Sequence, residues 1–174
     1  YGADEVLEVD DQVFYVPRHG FLQASTVFSD MFTIPQPLAP EVIEGHLERP
    51  IILAGYKAKE FKALLKVLYP TSDSFPPCAY FNLSQGEWVD VLKLSTVWLM
   101  TKIRLHCIKA LSVSDPSNPL HLTTSDKVKL GRAYRVPRWV REGIVELVRL
   151  PELSLDSIRE LGLETACQIF AIRD

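Results

Sequence analysis

Phe14-Tyr15-Val16-Pro17-Arg18-His19-Gly20-Phe21, followed by Ser25-Thr26-Val27-Phe28 and Met31-Phe32, is the stretch on which the fold turns. Its first half is β-branched and aromatic, and Pro17 removes a backbone donor, so a strand ends there. Just upstream, Val6-Leu7-Glu8-Val9 has the same character, and Asp10-Asp11-Gln12 between the two runs predicts a hairpin turn. Downstream, the Ser25 side chain is placed to cap a helix whose residues Val27, Phe28, Met31 and Phe32 share one apolar face.

Past Thr33 the periodicity stops, and Pro35, Pro37, Pro40, Gly45 and Pro50 predict a long loop. Ile51-Ile52-Leu53 reads as a third strand, buried on both faces. Phe61, Leu64, Leu65 and Leu68 recur at i, i+3, i+4 and i+7, the pattern of an amphipathic helix that Pro70 stops. Ser84-Gln85-Gly86-Glu87 has capping-box spacing and opens a helix carrying Trp88, Val91, Leu92, Ser95, Trp98 and Leu99. Ile103, Cys107, Ile108 and Leu111 mark the next. After Pro116 and Pro119, helices are predicted at 125–135, 138–149, 155–161 and 164–172, with Gly162 closing the third of these. Few strands and many helices give an α+β class, with a small sheet covered by helices and an all-helical C-terminal extension.

The chain has 174 residues, 47% of them hydrophobic and 24% charged, values of an ordinary globular chain rather than a disordered or fibrous one. Its net charge of −3 argues against a generic nucleic-acid binder. Leu94 to Met100 is the most apolar run and is too short to span a bilayer, so no membrane role is expected. The chain opens Tyr1-Gly2-Ala3, without a leader pattern, and reads as a piece of something longer. Cys78, Cys107 and Cys167 are too few and too scattered for a disulfide framework, which points to a reducing compartment, cytoplasm or nucleus.

Catalytic signatures are missing. There is no nucleophile elbow, phosphate loop or dinucleotide fingerprint. His19, His46, His106 and His121 have no zinc-ligand spacing. Glu60, Glu87, Glu142 and Glu164 are read as carboxylates near helix starts, where the dipole favours them without any catalytic role. Cys78 has no basic neighbour to activate it. No catalytic residue, cofactor or metal is therefore expected. One charge cluster stands out: Lys127, Lys129, Arg132, Arg135, Arg138 and Arg141, with Tyr134 and Trp139 among them. It reads either as an anion or nucleic-acid patch with aromatic platforms or as a solvated helix face with its rings turned inward, and the acidic chain and Pro137 favour the second.

Taken in order, the opening stretch, Ile51-Ile52-Leu53, Glu60-Phe61-Lys62-Ala63-Leu64-Leu65-Lys66-Val67-Leu68-Tyr69, and Val91-Leu92-Lys93-Leu94-Ser95 with Ile103 and Cys107 resemble a BTB/POZ domain. Val16-Pro17-Arg18, Phe28-Ser29-Asp30-Met31-Phe32, Leu130 to Trp139 and Leu161 to Ala166 are similar to BTB proteins abundant in mushroom-forming fungi. The resemblance implies a BTB core over residues 4–113 and a BACK-like helical extension over 114–174. It implies non-catalytic protein–protein interaction: self-association or scaffolding, and, as a further role, adaptor to cullin-3 type ubiquitin ligases. No hydrophobic-x-Glu cullin signature stands between Tyr69 and Leu83, where Tyr69-Pro70-Thr71 replaces the family's Tyr-x-Gly, so self-association is the leading expectation. Phe21, Leu22 and Val27, on the first helices, are the candidate contact residues. Nucleic acid contact through residues 127–141 is the alternative.

Overall fold

The structure, a computed structural model, describes residues 4–34, 44–45, 47–70, 82–150, 159 and 161–173. The chain divides into two compact units, Tyr1–Cys107 and Ile108–Asp174.

In the first unit, β1 (Asp4–Val9) and β2 (Gln12–Pro17) form the expected antiparallel hairpin, with Val9 opposite Gln12. Asp10 and Asp11 make the two-residue turn and both take positive φ, 54° and 57°. Paired positive φ values match the right-handed twist of the flanking strands, and Asp tolerates them better than most residues. Asp10 has a second use, since its carboxylate accepts from the Ala58 backbone N–H (3.4 Å) at the start of α3 (Ala58–Leu68).

β3 (Ile51–Ile52) pairs parallel to β1, giving the order β2-β1-β3. The expectation of a strand buried on both faces is corrected here. Among the described residues β3 lies at the edge of the sheet, and Ile52 is exposed because it shares the outer face with Glu8 and Val13. The inner face carries Leu7, Val9 and Val16, all buried, and Phe14, whose ring meets Phe61 edge-on at 4.9 Å.

α3 meets that inner face through Phe61 and packs on α4 (Gln85–Val97), while α1 (Arg18–Ala24) packs on α2 (Thr26–Thr33) and touches α3. Ser84 and Glu87 form the predicted capping box: Ser84 Oγ accepts from the Glu87 N–H (3.3 Å), and the Glu87 carboxylate accepts from the Ser84 N–H (2.8 Å). Buried Glu60 pairs with Lys93 across α3 and α4 (2.7 Å), so its charge is compensated where it would otherwise be costly. α5 (Thr101–Leu111) follows, and the division between the units falls inside it.

Among the described residues, the regular elements of the second unit are all helices, joined by non-helical segments such as 112–123. α6 (Thr124–Ala133) and α7 (Pro137–Arg149) pack on each other, and α8 (Leu163–Arg173) packs against α7. Pro137 does not bend a helix; it stands at the first position of α7, where its missing N–H has no partner to lose. Gly131 and Gly143 let α6 and α7 approach closely. A Cβ on Gly131 would stand 2.7 Å from Val140 Cγ2, and one on Gly143 would stand 2.7 Å from Val128 Cγ2. Gly162 has φ +83°; the helix predicted at 155–161 falls mostly outside the described residues.

Candidate interaction surface

Ser25 ties the first unit together. Buried between α1 and α2, its Oγ accepts from the Phe28 N–H (3.2 Å) and donates to the Trp98 carbonyl (2.6 Å) at the end of α4. One hydroxyl thus caps α2 and satisfies a terminal carbonyl of α4, groups that helix ends leave without partners.

Four large apolar side chains stand within three residues of the two ends of that bond and reach the surface. They are Leu22 (37% exposed), Val27 (39%), Val97 (52%) and Leu99 (59%). Leu99 is the unusual one. The sequence places it on the apolar face of the helix with Trp98, but the structure puts it just past the C-cap Trp98, at φ +52°. The Met100 N–H bonds to the Ser95 carbonyl (2.8 Å), which makes the end of α4 a Schellman motif with Leu99 at the left-handed position. Glycine is usual there because a side chain in that conformation crowds its own backbone, at a cost of about 1–2 kcal/mol. Here a bulky apolar residue holds the position and is exposed as well.

Phe21, the first of the three contact candidates, is corrected by its burial. Its exposure is 0%, and its ring lies among Phe28 (4.7 Å), Phe61 (6.0 Å) and Tyr69 (6.3 Å). It is a core residue that no partner can reach. Leu22, its neighbour on α1, emerges on the other side of the same helix turn.

The motif residues that are separate in the sequence meet at Tyr69. Its hydroxyl donates to the Pro17 carbonyl, and a Cβ on Gly20 would stand 2.5 Å from the phenol oxygen. Gly20 is therefore the space the Tyr69 ring occupies. Arg18 completes the junction, reaching Glu5 (3.4 Å), the Phe32 carbonyl at the end of α2 (2.5 Å) and the face of the Phe32 ring (4.6 Å). A hairpin, a Pro-Arg-x-Gly-Phe turn into α1 and a Phe-x-x-Leu-Leu-x-x-Leu-Tyr helix converge on one aromatic core. The BTB/POZ domain family model matches residues 2–115.

The chain belongs to the BTB/POZ domain family. BTB domains are protein–protein interaction modules, non-catalytic, and self-association is among their modes. No curated protein matches the chain. The BTB unit buries two groups that hold their protons: burial pushes the Tyr69 hydroxyl from 10.0 up to about 12 and the Cys107 thiol from 9.0 up to about 12. Well below pH 9.0 both are protonated whether the chain is folded or not, and neither makes stability depend on pH. Above that the unfolded chain releases these protons first, so stability falls as pH rises toward about 12. Urea midpoints measured from about pH 8 to about pH 11 are expected to decline, and Cys107→Ala is expected to flatten the decline.

In the second unit the basic cluster is partly neutralised. Lys127 pairs with Glu146 (2.7 Å) and Arg138 with Glu142 (2.7 Å). Glu142 lies one turn into α7 rather than at its start, so this i,i+4 pair is what accounts for it. Arg132 donates to the Thr165 hydroxyl (2.6 Å). Trp139 is buried, its Nε1 donating to Ser112 Oγ (2.8 Å), so it offers no stacking platform. Lys129, Arg135 and Arg141 are exposed. Cys78 and His46 lie outside the described residues. Among the described residues no group of three or more His, Cys, Asp or Glu is placed to hold a metal ion, and no helix is long and apolar enough to cross a membrane.

Proposed function

We propose that this chain is a non-catalytic scaffold whose BTB unit associates with a second copy of itself through the surface formed by Leu22, Val27, Val97 and Leu99. The observation that supports this reading most is Leu99. A large apolar side chain, held exposed in a left-handed conformation where glycine would relieve strain, reduces the stability of the free monomer and is recovered only when a partner covers it. Residues 4–113 are read as the BTB core and 114–174 as a BACK-like extension, with the whole acting in the cytoplasm or nucleus. A cullin is the further partner; the residues that would carry that contact, 71–81, lie outside the described ones, and the reading rests on the second copy.

The test is a pair of substitutions at one position. Leu99→Gly removes the side chain and relieves the backbone, so it is expected to raise the urea midpoint, a gain of about 1 kcal/mol, while weakening association. Leu99→Glu places a charge in the contact and is expected to give a monomer by sedimentation velocity at concentrations where the parent chain associates. Association unchanged in both variants contradicts the proposal.

A further inference from the structure

The junction between α6 and α7 carries a feature that self-association of the BTB unit does not use. A groove of about 580 Å³ runs along it, with Pro137, Val140, Ile144 and Val145 as apolar lining and Arg132, Arg135 and Arg141 at its rim.

Charge accounting separates these arginines from the rest of the basic cluster. Lys127 and Arg138 are matched by carboxylates. The Arg132 guanidinium meets the Thr165 hydroxyl, which bears no charge. Arg141 is exposed and makes no hydrogen bond or ion pair among the described residues. Among the described residues, Arg132 and Arg141 thus have no carboxylate partner. Arg135 is brought to the rim by a second Schellman motif. The Val136 N–H bonds to the Gly131 carbonyl (2.8 Å), and Arg135 sits at φ +53° where glycine is usual. As at Leu99, strain is retained to present a particular side chain.

A nucleic-acid strand would look for aromatic platforms, and none of the groove residues is aromatic. Branched apolar side chains flanked by guanidinium groups instead complement a polypeptide in which carboxylates alternate with aliphatic residues. We infer that the α6–α7 groove docks an acidic peptide segment of a partner protein, its aliphatic side chains on Val140 and Ile144 and its carboxylates on Arg132, Arg135 and Arg141.

Fluorescence anisotropy on the full chain tests this with a fluorescein-labelled, aspartate-rich peptide whose leucines are spaced four residues apart. Binding is expected, with affinity about tenfold weaker for Arg141→Glu, a substitution at an exposed residue that breaks no described contact. Replacing the leucines by serine is expected to weaken binding as well. Arg135→Gly is expected to weaken binding, and Leu99→Glu to leave peptide binding unchanged, which separates this site from self-association. Absence of binding, equal binding by Arg141→Glu, or equal binding of the serine peptide overturns the inference. Tighter binding of a labelled single-stranded oligothymidine, lost in Arg141→Glu, also overturns it and gives the groove to nucleic acid.

Discussion

Phe21→Ala is expected to destabilise the BTB unit by about 3–5 kcal/mol, whereas Leu22→Ala, one residue away and 37% exposed, is expected to cost only about 1 kcal/mol. The contrast follows from position on α1. Removing the Phe21 ring leaves a cavity bounded by Phe28 on α2 and by Phe61 and Tyr69, on α3 and at its C-terminal end, and the surrounding rings can close it only in part. Leu22 faces outward and loses little on truncation. The variants are expected to separate in the opposite sense in a concentration series: Leu22→Ala weakens self-association while folding normally. Urea unfolding followed by tryptophan fluorescence reads the first effect, since Trp98 lies against both Phe28 (5.1 Å) and Phe61 (6.1 Å).

Gly143→Val is the second large effect expected, about 3 kcal/mol or more in the helical unit. Propensity alone points the other way, because glycine inside a helix is worse than most residues by up to about 1 kcal/mol. Packing decides the sign. A Cβ at Gly143 would meet Val128 Cγ2 at 2.7 Å and the Thr124 carbonyl oxygen at 3.0 Å, and a backbone oxygen cannot turn aside as a side chain can. Gly131 repeats the arrangement from α6, 3.0 Å from the Val140 nitrogen. The control is Gly86→Ala in the first turn of α4. A Cβ there meets nothing within 4 Å, so this change is expected to be neutral or mildly stabilising in the same unfolding experiment.

The elements that follow one local rule were readable from the residues. The hairpin declared itself through two β-branched runs and an aspartate turn, α3 through its i, i+3, i+4, i+7 pattern, and α2 and α4 through oxygen-bearing caps at Ser25 and Ser84. Features that depend on what packs against them were not. Phe21 and Leu22 are adjacent and equally apolar, and only the arrival of α3 and Tyr69 decides which is inside. Ile51 and Ile52 look like a central strand by composition, but among the described residues β3 pairs only with β1, and Ile52 is exposed.

The two strained helix ends were hidden for a different reason. A glycine or asparagine advertises a left-handed cap, whereas Leu99 in an apolar run and Arg135 in a basic one look like continuations of their helices. A signal was nonetheless present for Arg135, since Pro137 two residues later cannot continue a helix begun upstream. For Leu99 there was none. The basic cluster showed its charge in the sequence but not its pairing: Glu146 lies nineteen residues beyond Lys127, on the facing helix. Trp139, which composition offered as a stacking ring, is committed to the interior by the same packing.

The central claim is that the BTB unit presents the surface around the Ser25–Trp98 bond to another copy of the chain. Hydrogen–deuterium exchange compared between dilute and concentrated protein tests it most directly. The account predicts that the slowing of exchange on concentration is centred on residues 22–27 and 97–99, and that it disappears in Leu99→Glu. Slowing centred elsewhere in the chain, or exchange that does not depend on concentration, would contradict it.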